Sequence, residues 1–166
     1  RSMPFFGIIA ISATFVVTLG EIDLSFPSIV GITSLTFGML LTSTDGNFFI
    51  SFALATALGM FAGLVNGLLV TKIGIPSIVA TIGTLFFWRG LVNVISQGSG
   101  IAIVDEADGT WHHMIFVDKL FNLIPAQFIW FVVLTGLMQW VYRYHKFGNH
   151  IHFVGDNKAS SQMMGI

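Results

Sequence analysis

The chain has 166 residues, of which 54% are hydrophobic and 9% charged, with a net charge of −1 and no cysteine. Its mean hydropathy of +0.84 is that of an integral membrane protein, since soluble domains carry roughly 25% charged residues. The absence of cysteine excludes disulfides, thiolate metal centres and cysteine nucleophiles, and the absence of any basic stripe excludes a nucleic-acid surface.

Five apolar runs follow in chain order: Pro4 to Leu19, Phe26 to Thr42, Phe48 to Thr71, Ser77 to Ser96 and Leu123 to Tyr142. Each is near the ~20 residues a helix needs to cross ~30 Å of hydrocarbon, so the fold class is an all-α polytopic helical bundle with five spans. The first run lacks a basic start and a small-residue cleavage site, so no cleavable signal is expected. The chain opens on Arg1 and stops just after Gly165, which reads as a fragment. In "GEIDLSFPS", Gly20 breaks the first helix, Ser25 is a candidate N-cap and Pro27 fits the first turn of the second helix. "TSTDGN" supplies Asp45 and Gly46 for a tight turn, and "TKIGIPS" places Gly74 and Pro76 between spans.

In the third span Gly59, Gly63 and Gly67 recur every four residues, a spacing that lets another helix approach closely. Gly83 and Gly90 in the fourth span fit the same reading. Arg89 lies about twelve residues into that span, where an arginine costs at least ~2.5–3.5 kcal/mol on insertion scales and needs a partner, water or a snorkelling route. Glu21 and Asp23 are its candidate acids, either as a register-setting ion pair or as part of a polar path. The long connection from Gln97 to Asn122 carries Asp105, Glu106, Asp108 and Asp118, and its apolar patch from Met114 to Val117 suits a short interfacial helix. His112 and His113 are adjacent and diverge on a helix, and His150 and His152 lack a third ligand, so no metal site is expected. No phosphate-binding loop is present, so no cofactor or catalytic residue is expected.

With alternating spans, the Lys72 loop and the tail bearing Arg143, Lys146 and Lys158 lie on one side and the acidic connection on the other. The positive-inside rule puts the tail in the cytoplasm. The chain therefore divides into a membrane region, residues 1–145, and a cytoplasmic segment, 146–166.

Three stretches, "GEIDLSFPSIVGI", "GLVNGLLVTKIGIPSIVATIGTLFFWRGL" and "KFGNHIHFVGDNKASSQMMGI", resemble in order the conserved segments of the permease subunits of bacterial ribose-type ABC importers. That family imports ribose, xylose, arabinose, galactose and related sugars. The resemblance implies about ten membrane helices in a full member, of which this chain holds the second to sixth. It also implies a location in the bacterial inner membrane, a second permease copy, a periplasmic solute-binding protein and a separate ATP-binding subunit that binds the ATP. The tail would be the coupling element docking into that ATPase, through Gly155, Asn157, Ala159, Ser160 and Gly165. Gly155 is expected to allow a sharp turn, Phe147 and Ile151 to anchor the segment, and Asp156 or Asn157 to cap a helix from about Lys158 to Met164. The family commonly has glycine at Asp156, an acidic residue near Ala159 and a basic one at Gln162, so the resemblance implies a partner cleft that is less polar here. Phe26 and Pro27 also depart from the small residues usual after the DLS motif. The competing readings are an ion- or proton-coupled secondary transporter using Glu21, Asp23 and Arg89, and a membrane scaffold.

Overall fold

The computed structural model describes residues 3–44, 47–101, 109–120 and 124–165. Helices α1 (Met3–Thr18), α2 (Phe26–Ser43), α3 (Phe48–Leu68), α4 (Ser77–Ser96), α5 (Trp111–Phe116), α6 (Ala126–Tyr144), α7 (Lys146–Asp156) and α8 (Lys158–Met163) carry the chain. Strands β1 (Lys119–Leu120) and β2 (Ile124–Pro125) form a minimal antiparallel pair before α6. The Asp45–Gly46 turn and the acidic Asp105, Glu106 and Asp108 lie outside the described residues.

Three of these helices, α2, α3 with its extension to Ile73, and α4, are long and apolar enough to cross a membrane. Helix α1 is apolar but has 16 residues, about 24 Å of rise. Helix α6 has 19 residues but carries Gln127, Gln139 and Arg143 among its apolar positions.

The chain packs as two compact units, Ile22–His112 and Arg1–Glu21 with His113–Ile166. In the first, α2 packs on both α3 and α4 around Ile32, Ala62 and Trp88, backed by Ile29, Leu35, Leu58, Leu91 and Val92. The buried face of α4 repeats every fourth residue, Ala80, Thr84 and Trp88. That of α3 is Ser51, Ala55, Ala62 and Asn66, where steps of four, seven and four residues stay on one seam of a 3.6-residue helix. The glycines step by four each time and drift off that seam. Gly59 meets Thr33 Cγ2, which a Cβ there would approach to 3.2 Å, whereas Gly63 and Gly67 have open space among the described residues. The outward positions are large and apolar, among them Phe52, Leu64, Phe86, Phe87 and Val94, as a lipid-facing surface requires.

Punctuation explains the helix ends. Asn47 caps α3 by accepting from the Ile50 N–H at 3.2 Å. Helix α3 does not stop at Thr71 but widens into a π-helical turn, Leu69–Ile73, closed by Gly74 at φ +81°, a left-handed conformation that glycine adopts without penalty. Pro27 occupies the first turn of α2, and Ser25 is the N-cap residue but makes no side-chain capping bond. Its hydroxyl is used elsewhere, as described below.

In the other unit, α1 packs against α6, with Gly7 facing the Phe131 ring. The short helix expected around Met114–Val117 is α5, which starts three residues earlier at Trp111 and ends one residue earlier at Phe116, and Trp130 Nε1 donates to the Ile115 carbonyl at 3.0 Å. In the unit Ile22–His112, His112 is buried, stacks on Phe48 at 4.8 Å between ring centroids and has no hydrogen-bond partner at either ring nitrogen among the described residues.

Candidate functional site

The tail forms its own small structure at the foot of α1 and α6. His145 is extended (φ −89°, ψ 148°) and breaks α6 from α7, its Nδ1 accepting from the Phe147 N–H at 3.2 Å. Helix α7 was not expected from the sequence, where Gly155 was read as a sharp turn. The helix runs through Gly155 to Asp156, and the turn falls at Asn157 (φ −158°, ψ 101°). Gly155 serves close approach instead: a Cβ there would run into the Thr18 carbonyl oxygen at the end of α1. Gly148 does the same at the other end of the helix, against the Tyr142 carbonyl and the Val141 carbonyl, the latter at 2.6 Å.

Side chains lock this seat. Ile151 is buried, and Phe147, though half-exposed, stacks on Phe15 at 6.3 Å. Tyr142 packs edge-on to Phe15 at 5.5 Å and to His152 at 4.4 Å. The Thr18 hydroxyl donates to the Thr14 carbonyl at 2.7 Å, so the Tyr142 hydroxyl is the donor in its 3.0 Å bond to Thr18 Oγ1. Of the two expected anchors, Phe147 is therefore in contact with α1 and Ile151 is buried, and Thr18, Tyr142, Gly148 and His152 contribute to the same seat.

Asn157 caps α8 by accepting from the Ser160 N–H at 3.0 Å. Of the two candidates the structure uses Asn157, because Asp156 is still inside α7. Ser161 is buried, its hydroxyl bonded to the Lys158 carbonyl at 2.9 Å. Ala159, Ser160, Gln162 and Met163 face outward, and Gly165 (φ +78°) ends the segment. A short helix with a fixed base thus presents small side chains and one flexible methionine to its surroundings. Met is suited to adaptable apolar contact.

Glu21 meets Lys158 at 4.0 Å, with side-chain exposures of 34% and 70%. A pair this exposed adds little stability, but it ties the start of α8 to the chain leaving α1.

The polar residues of the other unit gather where α2 begins. Ser25 is fully buried; its N–H and its hydroxyl both donate to Asp23 Oδ1, at 2.7 and 2.6 Å. Asn66 Nδ2 donates to Ser25 Oγ at 2.7 Å. The Ile22 N–H donates to Ser77 Oγ at 3.2 Å, and the Thr81 hydroxyl, which donates to the Ser77 carbonyl at 2.7 Å, lies 3.4 Å from the Ile22 carbonyl oxygen. This cluster explains why Ser25 does not cap α2. Asn66, the one polar residue in "GLVNGLL", was the available sequence signal. Arg89 is on the exposed side of α4 and makes no ion pair among the described residues. Likewise among the described residues, no group of three or more His, Asp or Glu is placed to hold a metal ion.

Comparison with known proteins agrees with a membrane-transport role for this arrangement. The chain is 31% identical over 159 residues to the autoinducer 2 import system permease protein LsrC of Photorhabdus luminescens, an alignment covering 96% of this chain and 46% of that protein. It is 33% identical over 159 residues to the protein of the same name from Yersinia pseudotuberculosis serotype O:3 (strain YPIII), covering 96% and 44%. The chain therefore spans a little under half the length of these relatives. No solved structure matches. The profile of the family described as "branched-chain amino acid transport system / permease component" matches residues 1–166, and with three helices long and apolar enough to span a bilayer the chain belongs to that family of membrane permeases.

Proposed function

We propose that this chain is the coupling-proximal part of the permease subunit of an ATP-driven importer in the cytoplasmic membrane. It carries a monosaccharide or similar small polar solute, the relatives' names recording autoinducer 2. The observation that carries the reading is the tail: α8 has a capped, anchored base and an outward face of Ala159, Ser160 and Met163, the form of a knob that enters a cleft in a soluble partner. That partner is the ATP-binding subunit, which holds the nucleotide and performs hydrolysis, so this chain is a translocation subunit and not an enzyme. A second permease copy completes the path, and a periplasmic solute-binding protein delivers the solute. Family membership favours this over gradient-driven transport. The experiment is uptake by the full-length protein with its partners, which should require ATP and persist with a protonophore. ATP-independent uptake abolished by the protonophore would establish the secondary-transporter reading.

Topology is checked by labelling. These 166 residues contain no cysteine, so single cysteines replacing Asp108 and Lys158 are introduced into the full-length protein after any cysteine elsewhere in it has been replaced. Asp108→Cys should label from the periplasm and Lys158→Cys from the cytoplasm. Labelling of both from one side contradicts the five-span arrangement.

Arg89 paired with Asp23 or Glu21 remains a proposal on electrostatic grounds. Arg89→Ala should lower the amount of folded protein, and neutralising the correct acid as well should restore part of it. Strict additivity in both double mutants rules out either pair. A loss of uptake with folding intact would assign Arg89 to the solute path.

A further inference from the structure

We propose that the corner where α6 meets α7 is a binding site for the headgroup of an anionic phospholipid, its phosphate held by Arg143 and Lys146. The inference rests on the reading of this end of the chain as the cytoplasmic foot of a membrane helix.

The exposed face of α6 changes character along its length as one leaflet of a bilayer does. Val133, Leu137, Trp140 and Tyr144 are each more than half exposed, and their steps of four, three and four residues place them on one stripe of the helix. The stripe is aliphatic first and ends in a tryptophan and a tyrosine, the residues that settle between hydrocarbon and headgroups. Arg143, three residues after Trp140 and so beside it on the helix surface, and Lys146, the first residue of α7, come next, and both are exposed. Tyr142, on the opposite side of α6, packs against Phe15 of α1, so the stripe faces away from α1.

Charge at the corner calls for an anion. From Lys119 to Gly155 the sequence has no Asp or Glu. Within the unit Arg1–Glu21 with His113–Ile166, Glu21 meets Lys158, Asp118 accepts from the Lys119 N–H, and Asp156 is the last residue of α7. Arg143 and Lys146 make no ion pair among the described residues. His145 adds a donor: its Nδ1 accepts from the Phe147 N–H, so the neutral ring carries its proton on Nε2, and the ring centroid is 6.4 Å from that of Trp140. An anionic phospholipid satisfies both parts of the corner at once, with acyl chains along Val133 and Leu137 and the phosphate at the cations. A soluble anion uses only the cations and leaves the apolar stripe bare.

The test uses the full-length permease in phosphatidylcholine nanodiscs that contain a small fraction of either brominated phosphatidylglycerol or brominated phosphatidylcholine, with tryptophan fluorescence quenching as the readout. The Trp140 signal is the difference between the wild-type protein and Trp140→Phe. It should be quenched several-fold more by the anionic lipid than by the zwitterionic one at equal fraction. Arg143→Gln and Lys146→Gln, at exposed positions without ion pairs among the described residues, should accumulate normally. Each should raise the phosphatidylglycerol fraction needed for half-quenching about fivefold, the effect of one basic residue at an anionic surface. Lys72→Gln, an equal loss of charge in the other compact unit, should change nothing. Equal quenching by the two lipids overturns the site, and so does quenching by neither, which would place another protein segment over the stripe. The comparison of wild type with Trp140→Phe decides this even if the basic variants do not accumulate. A shift in Lys72→Gln as large as in the other two also overturns it, leaving only general surface charge. Labelling of Lys158→Cys from the periplasm, read independently of quenching, would instead overturn the topology on which the inference rests.

Discussion

Gly155→Ala should unseat the tail. The added Cβ lands on the Thr18 carbonyl oxygen, a backbone atom at the end of α1 that cannot swing aside as a side-chain tip does. Two effects oppose each other. Alanine is favoured over glycine inside a helix by about 1 kcal/mol. Overpacking costs typically ~1–3 kcal/mol and occasionally more, and here the neighbour is rigid, so the clash wins. Helix α7 then lifts from α1, and the contacts that depend on its seat, Phe147 on Phe15 and His152 on Tyr142, go with it. The expected readout is an assembled permease with a normal amount in the membrane, reduced thermal stability in detergent and loss of the ATP-binding subunit on purification. Gly148→Ala, which meets the Tyr142 and Val141 carbonyls, should behave the same way. Asn149→Ala, at an exposed position of the same helix, should be neutral. Equal behaviour of all three variants would show that the seat of α7 on α1 and α6 is not what holds the tail.

The legible and illegible parts of this structure differ for identifiable reasons. Helices α2 and α4 begin and end within a residue of the apolar runs because hydrocarbon-length apolar stretches bounded by Pro27, Asn47, Pro76 and Gly74 admit few alternatives. The Asn157 cap was legible for a similar local reason, an Asx residue three positions before the N–H it accepts from. Helix α7 was not. Its apolar positions Phe147, Ile151 and Val154 do fall at helical spacing, but Gly148 and Gly155 looked like breaks, and a glycine that permits close backbone approach is written the same way as a glycine that permits a turn. The glycine stripe of α3 is a different case: Gly59 lies against Thr33 of α2 while Gly63 and Gly67 face open space among the described residues, because spacing identifies a face without saying which neighbour covers it.

The candidate site shows the same division. The outward residues Ala159 and Ser160 follow from the local helix and could be placed by number. The Ser25–Asn66 bond joins positions 41 residues apart, and the Lys158–Glu21 contact joins the two ends of the chain. Both depend on which helices pack together, so neither partner could be chosen from the sequence. Asp23 illustrates the consequence: as a carboxylate beside a membrane helix it suggested a counter-charge for Arg89, while the structure shows its Oδ1 accepting both the N–H and the hydroxyl of Ser25.

The second large effect is expected at Ala159, and it bears on the central claim that α8 is the element engaged by the ATP-binding subunit. Ala159 is exposed, its helix is capped by Asn157 and based on buried Ser161, so a tryptophan there should leave the fold of the tail and its seat on α1 intact. What changes is the outward shape. If α8 is seated in a close-fitting cleft, the indole cannot be accommodated without separating the surfaces. A loss of about a hundredfold in affinity corresponds to only ~2.8 kcal/mol, less than a single central contact often contributes. The most direct measurement is solute-stimulated ATP hydrolysis by the full-length Ala159→Trp permease assembled with its ATPase and solute-binding protein. The predicted result is normal membrane insertion and normal docking of the solute-binding protein, with stimulated hydrolysis reduced to the unstimulated level and the ATPase lost on purification. Wild-type stimulation of hydrolysis in this variant would contradict the assignment of α8 as the coupling element.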